Sequence, residues 1–288
     1  MGRVCRMSVW CNGEWCEGEY AAVAWGDRGW LHGLGLFETM RAEDGHLVFG
    51  GRHEARLRDG LARLGWDVDV GGAFGAAGEL LERNGLISGR ARVRLAVTGG
   101  VGRISEPGRG SGRMVWMTAQ RAEAVPESVV VGVSRWKRNE CSVLAGLKCA
   151  SYAENLLILQ EAGESGWDEA LVFNHAGHLC EGAMANVFLV SGQRLRTPPL
   201  STGCLAGVMR GVVLELAERL GEPCEETDLT QDDLWQADEI FLTSAVRGVV
   251  PVSRLGEKAM EIGPVAREWR ERLAGLREDS PWKGGDCG

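Results

Sequence analysis

The sequence predicts an α/β chain, with an α+β N-terminal domain followed by a β-rich α/β C-terminal domain. Three observations lead there. Short apolar, β-rich runs are punctuated by Asn-Gly and Asp-Gly turns. Leucine-striped segments of helical period lie between them. A polar stretch, QRAEAVPES at 120–128, interrupts a 288-residue chain that is long enough for two ordinary domains.

The elements follow in order. MSVWCNGEWCEG reads as a hairpin turning at Asn12-Gly13, and LFETMRAEDGHLVF as a second turning at Asp44-Gly45. RHEARLRDGLARLGW is helical, because Leu57, Leu61 and Leu64 recur on one face. AAGELLERNG is a helix stopped at Asn84-Gly85. ARVRLAVTGG and RMVWMTA are strands, and they complete a first domain over 1–119. Segment 120–128 is the expected linker and 129–276 the second domain. That half opens with the strand SVVVGVS and continues with the helix YAENLLILQEAGESG. ALVF and NVFLV then form a hairpin region, and LAGVMRGVVLELAERLG is a helix with a glycine stop. TQDDLWQA is a short helix capped by Thr230, EIFLTSAVRGVVPV a buried strand running into a loop, and GPVAREWRERLAGL a last helix. Residues 277–288 read as a loose polar tail.

Composition narrows the function. A net charge of −8 argues against nucleic acid or an anionic membrane surface as the main partner. No apolar run is long enough to span a bilayer, and the N-terminus lacks an apolar signal core. Nine scattered cysteines without a C-x-x-C pair suggest reduced thiols in a cytoplasmic protein rather than a zinc or disulfide framework. No clustered His and acid set suggests a metal.

Several residues invite chemistry, and each has a plainer alternative. Lys148 sits between an apolar run and a leucine-rich helix, where desolvation would make its amine nucleophilic; it can equally snorkel to solvent. Arg92 and Arg94 share one face of a strand, either as surface charges or as carboxylate or phosphate ligands. Arg56 lies beside the leucine stripe of its helix, where a surface position is the simple alternative. STGCLAGVMR places small residues before a helix start, and LTSAVRG ends a buried strand in small hydroxyl residues; each suits an anion, and each is common. Glu181, between two buried runs, is costly unless something cationic meets it.

Six segments in order resemble the class IV pyridoxal-phosphate-dependent enzymes: the branched-chain and D-amino-acid aminotransferases and the aminodeoxychorismate lyases. They are GLGLFETMR, RHEARL, LKCASYAENLLILQEA, DEALVFNHAGHLCEGAMANVFLV, LAGVMRGVV and EIFLTSAVRGVVPV, and the resemblance they carry extends over nearly the whole chain. The resemblance implies fold type IV and a homodimer with pyridoxal 5'-phosphate between the domains. It makes Lys148 the Schiff-base lysine and proton carrier, and Glu181 the partner of the pyridine N–H⁺. Arg56, the backbone N–H groups of Val208 and Met209, and Ser244 and Ala245 would hold the phosphate, with Asn186 in support. Some relatives carry threonine where this chain has Ala245. Arg94 is similar to a substrate-carboxylate position of branched-chain enzymes, in which Arg92's position is typically tyrosine. A ring-contacting tyrosine expected five residues after the lysine is here Ala153. Arg103 is either a substrate contact of a D-amino-acid-type pocket or a surface loop arginine. The implied activity is amino transfer between an amino acid and a 2-oxo acid. The alternative is elimination of pyruvate from aminodeoxychorismate, to which FET, GRARVRL and KCASYAEN with Glu154 point. A non-catalytic scaffold of the same fold is the third reading.

Overall fold

The computed structural model describes residues 7–18, 22–106, 108–274 and 276; the expected tail lies outside them. The first half supplies β1 (Ser8–Cys11), β2 (Glu14–Glu17), α1 (Arg28–His32), β3 (Gly35–Glu43), β4 (His46–Leu47), α2 (Gly50–Arg63), α3 (Gly71–Gly75), α4 (Ala77–Arg83), β5 (Arg90–Thr98) and β6 (Val115–Arg121). Its six strands form one sheet in the order β2-β1-β6-β5-β3-β4. Both expected hairpins form. Asn12 and Gly13 adopt φ of 48° and 91°, and Asp44 and Gly45 φ of 48° and 83°, the left-handed pairs that a type I′ turn requires. One face of the sheet buries Met40, Val93, Leu95 and Met117 against Leu57 and Leu61 of α2 and Leu80 and Leu81 of α4. The helical leucine stripe and the strand alternation therefore meet in one core.

The second half supplies β7 (Val129–Arg138), α5 (Ala153–Glu164), β8 (Glu169–Asn174), β9 (Leu179–Gly182), β10 (Asn186–Ser191), β11 (Arg194–Thr197), α6 (Val208–Leu220), β12 (Cys224–Glu226), α7 (Gln231–Gln236), β13 (Glu239–Ser244), β14 (Gly248–Leu255), β15 (Lys258–Ala259) and α8 (Pro264–Leu273). Its nine strands run β12-β11-β10-β13-β14-β7-β8-β9, with β15 on β14. Helix α5 is the crossover between the parallel strands β7 and β8. One face of the sheet packs on α6 and α8 through Phe188, Phe241, Val213 and Trp269. Thr230 and Asp233 form a capping box that starts α7.

The structure departs from the sequence reading in several places. ALVF and NVFLV do not pair as a hairpin: β8 pairs with β9, while β10 pairs with β11 and β13. The short strands β11, β12 and β15 lie outside the elements read from the sequence. Residues 239–255 are not a strand and a loop but a hairpin, β13 and β14 pairing antiparallel from Phe241↔Pro251 to Ser244↔Gly248. Its turn, Ala245 to Arg247, carries no Asn-Gly or Asp-Gly signal; only Gly248, at φ 70°, marks it. Helices α1 and α3 were not anticipated, because five residues each are too few to show a period.

One backbone feature positions the site. β4 pairs with β3 only at Ala42 and Glu43, so the start of β3 has an open edge. Segment 148–150 fills it: the Phe37 N–H donates to the Lys148 carbonyl at 3.0 Å, and the Ala150 N–H to the Gly35 carbonyl at 2.7 Å. The chain thus returns from the second sheet to stitch Lys148 onto the first.

Candidate active site

A cavity of about 930 Å³ lies where residues of the two sheets face each other, large enough for a cofactor with a small substrate. Ten of the residues singled out from sequence line it: Arg56, Arg92, Arg94, Lys148, Glu181, Asn186, Val208, Met209, Ser244 and Ala245. Arg103 does not; it stands exposed in the loop after β5.

The Lys148 amine points over aromatic rings, with Nζ 4.4 Å from the Phe37 centroid and 5.4 Å from that of Tyr152. Burial, reinforced by the Arg56 charge, lowers its pKa to about 8 against the partial opposition of Glu38 and Glu181. The shift enlarges the neutral fraction near neutrality, which is the form a nucleophilic amine needs.

Glu181 is buried on β9 and has two partners. Arg138 Nη2 stands 3.3 Å from one carboxylate oxygen, and the Leu205 N–H donates to the other at 3.0 Å. Burial raises its pKa, while Arg138 and that N–H oppose the rise. Arg138 also pairs with Glu154. Two acids therefore share one guanidinium, and Glu181 keeps room for a further cation in the cavity. The Leu205 carbonyl accepts from Asn186 Nδ2 at 2.9 Å, so one residue ties Glu181 to Asn186.

Arg56 is held in a fork. Its Nε and Nη2 donate to the two oxygens of Glu38 at 2.8 and 2.6 Å, and Nη1 reaches the Ala206 carbonyl at 2.9 Å, just before α6. Burial would raise the Glu38 pKa, but the His53 hydrogen bond and Arg56 outweigh it and hold the acid at about 2. His53, 2.7 Å from Glu38, is lowered by burial; as a neutral ring beside a carboxylate it donates from Nδ1. At α6 the N-cap is Gly207, with no side-chain cap, so the first-turn N–H groups of Val208 and Met209 remain available to an anion. A Cβ on Gly207 would fall 1.9 Å from Asn186 Oδ1, so only glycine fits this approach. Across the cavity, β13 ends at Ser244, and the neighbouring Thr243 hydroxyl is buried without a hydrogen-bond partner.

Sequence reasoning passed over four residues here. Glu38 carried a signal: it lies opposite Leu95 on the core face of β3, and an acid there needs a cation. Arg138 carried none, since RWKR at the end of β7 reads as an exposed charged strand end. Tyr152 lines the cavity edge-on to Phe37 at 5.1 Å, and burial and Glu181 push its pKa up to about 12. A phenol is thus present one residue before Ala153. Glu169, raised by burial to about 7, accepts from the Ala170, Ala183 and Met184 N–H groups and shapes the turn between Glu181 and Asn186.

The family model for class IV amino-transferases matches residues 35–255, from the start of β3 to the end of β14, and so includes every cavity residue described above. The chain belongs to this family. Other class IV aminotransferase relatives differ in the activity they are named for. A D-alanine aminotransferase of Bacillus licheniformis is 31% identical, covering 89% of this chain and 91% of its own. The aminodeoxychorismate lyase of Bacillus subtilis is 27% identical, covering 86% and 87%. The crystal structure of a Thermoproteus uzoniensis branched-chain aminotransferase with norvaline superposes with a TM-score of 0.87 at 27% identity, covering 93% and 94%. A Brucella abortus aminotransferase bound to the cofactor PLP superposes with a TM-score of 0.84 at 26% identity, covering 92% and 97%.

Proposed function

We propose that this class IV aminotransferase binds pyridoxal 5'-phosphate in the cavity and moves an amino group between an amino acid and a 2-oxo acid through Lys148. The observation that carries the reading is the buried Lys148 amine, its pKa lowered to about 8, facing a cavity that also holds an anion cradle at the start of α6 and the Arg138-held Glu181. The donor set fits this cofactor. Arg56, the Val208 and Met209 N–H groups, Ser244 and the Ala245 N–H would hold the phosphate, and the orphaned Thr243 hydroxyl lies beside them. Glu181, fixed by Arg138 and the Leu205 N–H, would meet the protonated ring nitrogen, with Asn186 fixing the 205–207 segment. Once bound, the cofactor supplies an electron-withdrawing ring that stabilises negative charge on the substrate's Cα. Lys148 would then have two tasks: its amine would hold the cofactor between turnovers and, when free, move the proton at Cα.

We extend the reading to the rest of the molecule. Two domains, 1–119 and 129–276, are joined by 120–128, of which residues 120 and 121 still pair within the first sheet. A homodimer is supported by exposed apolar side chains on α1 and α5, Trp30, Leu31, Leu156 and Leu157. A reducing, cytoplasmic setting is supported by the free state of the seven described cysteines.

A second reading, elimination of pyruvate from aminodeoxychorismate, draws on the Bacillus subtilis lyase and uses the same Lys148 and Glu181. Single-turnover spectra separate the two. Amino transfer converts the aldehyde form of the cofactor to its amine form, stoichiometric with 2-oxo acid release. Release of pyruvate from aminodeoxychorismate without that conversion would favour the lyase.

A further inference from the structure

Glu181 rides on β9, a strand of four residues at the edge of the second sheet. Its ladder runs along β8, and a register shift interrupts it between Val172 and Phe173. So short an edge strand holds its direction only if both ends are tied down. The first end is tied by the Leu179 N–H, which donates to the Leu229 carbonyl at 2.7 Å. The other end runs into the turn 183–185, which two side chains hold from opposite sides. Asn155 Nδ2, on α5, donates to the Ala183 carbonyl at 2.7 Å. Glu169 accepts from the Ala183 N–H at 2.9 Å on one oxygen and from the Met184 N–H at 3.1 Å on the other; the Ala170 N–H adds a third bond at 3.0 Å. Gly182 permits the approach, because a Cβ there would lie 3.2 Å from both Glu169 Cγ and the Ala185 carbonyl oxygen. The turn leads straight into Asn186, so it sets the spacing between Glu181 and the residue that ties down Leu205.

The charge state of Glu169 decides how well it can do this. An ionised carboxyl offers acceptor sites to all three N–H groups. Protonation turns one oxygen into a donor that faces an N–H, and a buried donor left facing a donor is costly. Burial raises the Glu169 pKa to about 7, against the pull of its N–H partners and of Arg247 in the β13–β14 turn. β7 sets the apolar Val131 beside it, and β9 contributes Glu181. Tyr152, whose own pKa Glu169 helps to raise, and Asp168, whose carboxylate accepts from the Val130 N–H, complete the surroundings from the loop and from β8's own approach. On α5, Glu154 is engaged with Arg138, and Glu161 with Ser134 and Arg135.

We infer that Glu169, as the carboxylate, is the positioning residue for Glu181: it pins the 183–185 turn and so aims Glu181 at the ring nitrogen of the cofactor, and its protonation slackens that aim. The inference rests on the cofactor reading proposed above. Glu169 acts through the backbone rather than on the reacting atoms.

The test uses the full chain with pyridoxamine 5'-phosphate and with its 1-deaza analogue, in which CH replaces the ring nitrogen. At pH 8 the wild type should bind the first about 30-fold more tightly, the scale of a hydrogen bond to a charged group. Glu169→Gln, which copies the protonated acid, should reduce that preference about fivefold at pH 8 and agree with the wild type at pH 6. A general structural loss would weaken both compounds alike and leave the preference where it was. Amide exchange at Ala183 and Met184 reads the turn itself, without cofactor. In the wild type their protection should fall about tenfold as pH drops from 8 to 6, and Glu169→Gln should lack it at both values. A preference unchanged by Glu169→Gln, or wild-type protection equal at the two pH values, would overturn the inference; if the variant does not fold, the wild-type exchange decides alone. If neither compound binds while exchange follows the expected course, the pinned turn stands and the cofactor reading falls instead.

Discussion

Lys148 titrates at about 8 because it is buried beside Arg56, against an ordinary value of 10.5. The sign is fixed: a depressed pKa means that the neutral amine, the form that attacks an aldehyde, dominates above pH 8 rather than above 10.5. Uptake of pyridoxal phosphate by the cofactor-free protein should therefore accelerate as pH rises toward 8 and then level off. Arg56→Met removes the charge that lowers it most and should move that inflection upward; an inflection that stays put in stopped-flow absorbance would mean that burial alone sets it. Arg138 offers a second prediction. Without it Glu181 is a buried, uncompensated acid, so Arg138→Met should cost the cofactor-free protein about 3 kcal/mol at pH 8 in urea unfolding. The loss should shrink toward pH 5, because Glu181 in the variant takes up a proton; an equal loss at both values would argue against the pairing. Lys148 and Glu181 were legible in the sequence because each sits in a run of distinctive neighbours. Arg138 and Tyr152 were not: their roles depend on which way a strand end and a loop turn, which no local pattern records.

At the scale of elements, the joint between β10 and α6 governs the anion end of the cavity. Gly207 is the N-cap of α6, and its missing Cβ makes room for Asn186 Oδ1. Gly207→Ala must displace one or the other, and should cost roughly 1–3 kcal/mol in stability and weaken cofactor retention. Asn186→Ala in the same chain should recover part of the stability, giving a favourable coupling in a double-mutant cycle. Additive losses would place the strain elsewhere. Elements with their own punctuation, such as the Asn12-Gly13 and Asp44-Gly45 hairpins and the Leu57 stripe of α2, could be read directly from the sequence. The β13–β14 hairpin could not, since its turn residues are ordinary ones held by pairing in a nine-stranded sheet. Nor could the pairing of 148–150 with the open edge of β3, a contact more than a hundred residues long in sequence that aims the lysine.

For the whole molecule, the family and the α/β class were legible because six spaced segments recur in order, and the family match spans both sheets. The exposed apolar side chains of α1 and α5 predict a second copy of the chain over that surface: sedimentation equilibrium should give twice the chain mass, and Leu156→Glu with Leu157→Glu should shift it toward the monomer. A wild-type monomer at micromolar concentration would remove the dimer from the proposal. The reaction itself rests on one covalent link, and borohydride reduction of the protein purified with its cofactor, followed by peptide mass mapping, tests it directly. A loss of visible absorbance together with a phosphopyridoxyl adduct on Lys148, absent in Lys148→Ala, is the predicted result. A protein that takes up no pyridoxal phosphate, or an adduct on another lysine, would contradict it.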